Sequence, residues 1–184
     1  MSTLHLNLGC GLNPIQGAIN YDRVAPADVV HDLEKTPWSA SEKLGWPTAP
    51  WDGLVWMWPE SSVDEVTLHY ALEHMGSTPA LFQAIIMELH RVCKPGAKIV
   101  VTSVAPCHDD FHADPTIIRP IVPAMWRKLA PGEPLAKQWG VGFIVKQVLQ
   151  KLDDAWEQDD FDDDERTLYR NLVQAYEMTI EVVK

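Results

Sequence analysis

Residues 62–106 carry two strand-like runs, "SVDEVTLHYALEH" and "AKIVVTSVAP", with a helix-periodic segment between them. In that segment Thr78 stands where a cap belongs and Pro79 takes the first helical position. Leu81, Phe82, Ile85, Ile86 and Leu89 recur at the spacing of one helix face, which predicts a helix over Pro79 to Val92, ended by "KPG". A strand, a helix and a second strand in succession bring the chain back parallel to itself, because a parallel pair needs a long crossover. The expected architecture is therefore α/β with a mainly parallel central sheet.

The N-terminal runs add to that sheet. "LHLNLGCG" alternates from Leu4 and stops at Gly9-Cys10-Gly11, a buried strand ending in a turn where side chains would obstruct something. "AINYDRV" and "ADVVHDL" read as the next two strands, closing near Asp22 and Asp32. The links between these three runs are too short for full crossover helices, so abbreviated N-terminal crossovers are expected. "GFIVKQVLQKL" and "YEMTIEVVK" both alternate and are expected to pair as an antiparallel C-terminal edge. Between them, part of "DDAWEQDDFDDDERTLYR" is expected to form a short helix.

A chain of 184 residues that is 46% hydrophobic fits a single domain, residues 1–184. Its formal net charge of -11 disfavours nucleic acid as a partner, since phosphate backbones are held by clustered Lys and Arg. Cys10, Cys93 and Cys107 have neither disulfide-framework nor zinc-site spacing, and no stretch is apolar enough to span a bilayer, so a cytoplasmic protein is expected. The acidic run from Asp153 to Glu165 lacks the glycine and ligand spacing of a calcium loop, and His108, His112 and Asp114 share no helix face. No metal is expected.

"LNLGCG", "NYD", "HDL", "SVDEVTLHYALEHM" and "RVCKPGAKIVVTSVAP" together resemble the class I, Rossmann-like S-adenosylmethionine-dependent methyltransferases, in the family's order and over most of the chain. More narrowly, "LEH" after the fourth strand and "DP...RP" after the fifth are similar to small bacterial and phage-type members. The resemblance implies S-adenosyl-L-methionine as cofactor. It would be held by Asn7, Gly9, Cys10, Gly11, Asn13, Asp22, Arg23, Asp32, Leu33, His69 and Tyr70. Asp22 would take the ribose hydroxyls, Asp32 the adenine amino group, and Leu33 the ring face. An acidic cleft suits a cationic sulfonium better than a polyphosphate. A nicotinamide-binding oxidoreductase is the weaker reading, because the third glycine of G-x-G-x-x-G is missing and no long helix follows the turn.

His74, with Glu73, is the candidate base where an acceptor must lose a proton, although the pair can equally hold the loop. Residues 105–140 form the expected substrate-side lid, in which Asp114, Arg119 and Trp126 match the family-like stretch. Arg119 suits a substrate carboxylate or phosphate, or ties the loop down. Residues 39–57, with Trp46, Trp51 and Trp56, interrupt a region that runs almost continuously in the resembled proteins, either as a packed satellite or as an aromatic wall. The DNA amino-methyltransferase signature is absent where "HYAL" stands, so a small-molecule acceptor is expected. A non-catalytic cofactor-binding or partner-binding module is the alternative, and a homodimer stays open.

Overall fold

The computed structural model describes residues 3–38, 57–152 and 173–184. The tryptophans at 46, 51 and 56, the acidic run from 153 and the helix expected within it lie outside the described residues. One seven-stranded sheet contains β1 (His5–Leu8), β2 (Ile19–Asp22), β3 (Val29–Val30), β4 (Val63–His69), β5 (Cys93–Val104), β6 (Phe143–Leu152) and β7 (Val173–Val182). The spatial order is β3-β2-β1-β4-β5-β7-β6. Neighbours are parallel from β3 through β5, and β7 is antiparallel to both β5 and β6. This is the expected Rossmann-like α/β sheet with its antiparallel C-terminal edge. The order reverses between β1 and β4, which makes their C-terminal ends the switch point where open sheets bind ligands.

Helix α1 (Pro79–Val92) has the predicted bounds: the Thr78 hydroxyl accepts from the Leu81 amide at 3.2 Å, and Phe82, Ile85, Ile86 and Leu89 are buried. Its end differs from expectation. Cys93 is already extended and begins β5, so Lys94, Pro95 and Gly96 lie inside a strand instead of stopping the helix. Val63 pairs with Cys93 but Glu65 with Lys98, so β5 bulges there, and Gly96 at φ 79° takes up the extra length. The first strands are shorter than the alternating runs that announced them. β3 keeps only Val29–Val30, and the fourth run turns at Tyr70, φ 49°, into a 3-10 turn at Leu72–His74.

The two faces of the sheet differ sharply. Leu6, Leu8, Tyr21, Val66, Leu68, Ile99, Val101, Met178 and Ile180 share one face, each at most 2% exposed, in the same core as α1. Helices α3 (Pro123–Arg127) and α4 (Pro134–Trp139) pack on the same side through Trp126, Leu135 and Trp139, with Trp126 edge-on to Phe143 at 5.3 Å. The opposite face is mostly polar, with Ile144 and Leu149 exposed among its charged pairs. Lys98 pairs with Glu65 at 3.1 Å, Lys146 with Glu181 at 3.0 Å, Lys151 with Glu177 at 3.2 Å, and His5 meets the Thr67 hydroxyl at 2.9 Å. Parallel strands normally carry apolar residues on both faces because helices cover both. Here none of the described helices that bury side chains packs on the second face.

The abbreviated crossovers explain this. Residues 9–18 and 23–28 link parallel strands without a helix, and a buried polar network holds them instead. The Asn7 amide donates to Asn20 Oδ1 at 2.8 Å and to the Asn13 carbonyl at 3.2 Å. The Asn20 amide donates to Asp28 Oδ2 at 2.9 Å, and Asn20 Oδ1 also accepts from the Ile15 amide at 2.8 Å. No helix among the described residues is long and apolar enough to cross a membrane.

The segment 105–140, expected as a substrate-side lid or loop, holds three short helices, α2 (Asp109–Ala113), α3 and α4. His108 caps α2 and His112 lies within it, yet no group of His, Cys, Asp or Glu suited to a metal occurs among the described residues.

Candidate functional site

Two cavities stand out. The larger, ≈ 940 Å³, lies between the outer side of α1, α4 and the C-terminal residues, among Met87, His90, Trp139 and Lys184. The other, ≈ 790 Å³, lies at the C-terminal ends of the parallel strands, at the switch point. Strand ends gather backbone groups and side chains from several elements, and only the second cavity has this position, so the chemistry is assigned there despite its smaller size.

The β1 turn forms one wall. Gly9 adopts φ 70°, and a Cβ on it would stand 2.6 Å from the Ala71 Cβ. This glycine is required by the chain itself, where β1 and β4 leave the sheet side by side. Gly11 differs: its φ is 50°, a Cβ there meets no protein atom within 4 Å, and the residue lines the cleft. A backbone edge with open space before it can admit a ligand closely.

Asp22 is held between the two turns. Its Oδ2 accepts from the Gly11 amide at 2.8 Å and its Oδ1 from the Val24 amide at 3.1 Å. Each carboxylate oxygen retains a further acceptor direction for a ligand hydroxyl. Asp32 and Leu33 line the same wall, where Asp32 Oδ1 accepts from the Glu34 amide at 3.1 Å and the Trp38 indole donates to the Leu33 carbonyl at 2.9 Å. Glu34 in turn accepts from the Gly76 amide at 2.6 Å, tying this wall to the start of α1. Asp22, Asp32, Glu34 and Asp114 face the cleft with Arg23 as the one Arg or Lys among its lining residues. That balance favours a cationic or hydroxyl-rich ligand over a polyphosphate. The open edge at Gly11 and the spare acceptors of Asp22 thus fit an adenosyl sulfonium compound.

Of the residues singled out in the sequence, Gly9, Gly11, Asp22, Arg23, Asp32, Leu33, Tyr70, His74 and Asp114 line this cleft together. Others do not. Asn7 is 2% exposed and spent on the network under the loop, to which Asn13 contributes its carbonyl. Cys10 is buried, which pushes its thiol pKa up. His69 belongs to the polar sheet face, with its ring edge against Tyr70 at 4.5 Å and its basicity lowered mainly by partial burial.

Three further residues stand apart from the cleft: Glu73 and Arg119 take the loop-holding alternative, and Trp126 departs from the expected substrate role. Glu73 is fully buried, so it touches no acceptor from where it stands. Its Oε1 accepts from the Val104 amide at 3.2 Å, and its carbonyl accepts from Ile118 at 3.0 Å, joining the 3-10 turn to β5 and the following loop. Burial raises its pKa, against the lowering effect of hydrogen bonds from the Val104 amide and the Ser103 side chain. Arg119 stacks 4.1 Å over the Phe82 ring and donates to the Gly76 carbonyl, so it ties the loop to α1. Trp126 is fully buried in the core.

Sequence reasoning missed Glu34 and Thr116, both of which line the cleft. The signal for Thr116 was present in "DPT", where a hydroxyl two residues after an aspartate closes a local turn: Asp114 Oδ1 accepts from the Thr116 amide at 2.8 Å and from its hydroxyl at 2.6 Å.

No protein-family profile and no curated protein matches this chain. Solved structures do. A SAM-dependent methyltransferase from Archaeoglobus fulgidus superposes with a TM-score of 0.61 at 17% identity, covering 98% of this chain and 86% of that one. The 1,6-didemethyltoxoflavin-N1-methyltransferase of Burkholderia thailandensis, with bound 1,6-didemethyltoxoflavin and S-adenosylhomocysteine, gives 0.55 at 11% identity, covering 98% and 71%. The [4+2]-cyclase SpnF gives 0.57 at 14%, covering 99% and 76%, so one fold carries more than one chemistry. The strand order, the switch-point cleft and these superpositions agree: the chain has the fold of the class I, Rossmann-like S-adenosylmethionine-dependent methyltransferases.

Proposed function

We propose that this protein is a cytoplasmic S-adenosylmethionine-dependent methyltransferase that acts on a small-molecule acceptor. The observation that carries the reading is Asp22, which bridges the Gly11 and Val24 amides at the switch point and keeps acceptor capacity toward the cleft. Gly11 and Asp22 hold the ribose side, Asp32 and Leu33 the adenine side, and Glu34 adds negative charge. The bound cofactor supplies an electrophilic methyl group on a positively charged sulfur. The chain's part is to align it with the acceptor and exclude water, for which no enzyme nucleophile is required. The Burkholderia neighbour, solved with S-adenosylhomocysteine, supports the choice of ligand.

A dinucleotide reading is disfavoured by residues 9–18, which contain no helix whose N-terminus can meet a pyrophosphate. The test is calorimetric titration of S-adenosylmethionine into the wild type and Asp22→Ala. Loss of charge-assisted hydrogen bonds is expected to weaken binding by about 1.5–3 kcal/mol, roughly ten- to hundredfold in Kd. Equal affinities would remove Asp22 from the site. Tight binding without methyl transfer across broad acceptor panels would favour a non-catalytic module.

A further inference from the structure

We infer that Asp114 and Thr116 lock the ring of His74 in one tautomer, leaving its Nε2 as the general base for an acceptor that must lose a proton. This inference rests on the proposed methyltransferase reading. The Thr116 hydroxyl lies 2.6 Å from Asp114 Oδ1 and 2.9 Å from His74 Nδ1. A hydroxyl has one proton to donate and lone pairs to accept with. The shorter contact is of the length found for a hydroxyl donating to a carboxylate, so the proton lies toward Asp114. Asp114 Oδ1 also accepts from the Thr116 amide at 2.8 Å, and these bonds depress the Asp114 pKa, which keeps it the acceptor.

The hydroxyl therefore accepts from His74, and Nδ1 carries the hydrogen. In neutral imidazole the lone pair then belongs to Nε2. Among the described residues none hydrogen-bonds Nε2, and His74 lines the cleft. When an acceptor hydroxyl or amine approaches, its O–H or N–H bond breaks and the proton moves to Nε2. Its electron pair forms the bond to the methyl carbon, and the pair of the broken carbon–sulfur bond stays on sulfur. The resulting imidazolium keeps its Nδ1–H bond to Thr116, with the Asp114 carboxylate behind it. The Glu73 and Asp114 carboxyls both feel the charge of this ring, Glu73 is fully buried, and Asp22, Arg23, Asp32 and Glu34 line the same cleft. Asp114 and Thr116 are positioning residues here; the base is His74.

The test is nitrogen NMR on the full chain labelled with 15N-histidine, at alkaline pH where the ring is neutral, with the His74 signals assigned by their loss in His74→Gln. The wild type is expected to show the Nδ1–H form. Thr116→Val removes the acceptor that the described residues offer that hydrogen and is expected to invert the tautomer ratio toward Nε2–H, while Thr116→Ser restores it. A wild-type ring in the Nε2–H form, or no change in Thr116→Val, overturns the inference. Calorimetry with S-adenosylmethionine on the same samples separates the two readings. Binding with an Nε2–H ring overturns the base alone, whereas no binding at all removes the methyl donor and the base role with it.

Discussion

Gly9 and Gly11 sit two positions apart in one turn, and the structure gives them separate tasks. Both have positive φ, so a side chain at either costs about 1–2 kcal/mol in backbone conformation. At Gly9 the added Cβ also overlaps Ala71 at 2.6 Å, adding about 1–3 kcal/mol of overpacking, whereas at Gly11 it meets only open space. Urea unfolding is expected to show Gly9→Ala as the more destabilised variant, and calorimetry to show Gly11→Ala losing cofactor affinity beyond its loss of stability. Glu73 makes a different prediction. Its folded-state pKa is raised by burial above the ordinary 4.5, so the stability that its protonated form contributes is full below that value and is lost as pH rises through the folded pKa. Glu73→Gln carries no such charge. Between about pH 4 and about pH 8 the stability difference is expected to move in favour of Glu73→Gln, as read from urea midpoints at both ends. A difference independent of pH would mean that the carboxyl does not titrate across this range. The glycines and Asp22 were legible in the sequence because a turn states its backbone needs locally. The burial of Glu73 was not, because it depends on β5 and the loop at Ile118, which are distant in the chain.

Among the elements, α1 and its two flanking strands were legible in outline, since cap, proline and apolar stripe are all local signals. The short helices of 105–140 escaped. Helices of so few residues are not stable alone; Trp126 anchors α3 and Ala136 anchors α4 by packing, while α2 buries no side chain and is capped by His108. The two-faced sheet gives this scale its prediction. Ile99 and Lys98 are adjacent in β5 but point to opposite faces. Ile99→Ala, in a fully buried site, is expected to cost about 2–5 kcal/mol. Lys98→Ala, which breaks only a half-exposed pair with Glu65, is expected to cost about 1 kcal/mol or less. Comparable losses in denaturant melts would show that the polar face is covered by packing as close as that of the core.

For the molecule as a whole, the consequence is a cleft whose walls come from β1, β2, β3, the turn after β4 and the loop after β5. A ligand that joins them binds only the folded chain, so S-adenosylmethionine at about 100 times its Kd is expected to add about 2.7 kcal/mol, roughly 5–10 °C in Tm for a chain of this size. Nicotinamide dinucleotides are expected to add nothing, and a shift from them in place of S-adenosylmethionine would overturn the proposed function. The kinds of element, their parallel sense in the middle of the chain and the glycine turn with its acidic neighbours were written in the sequence by itself, because periodicity and turn chemistry act over a few residues. Which of the polar residues near the strand ends would face the cleft was decided by the tertiary structure. His74 and Glu73 are consecutive, yet one lines the cleft and the other is sealed beneath it. Arg119 and Thr116 share a loop, yet only Thr116 lines the cleft. Such choices follow from packing partners far apart in the chain, and no local pattern contains them.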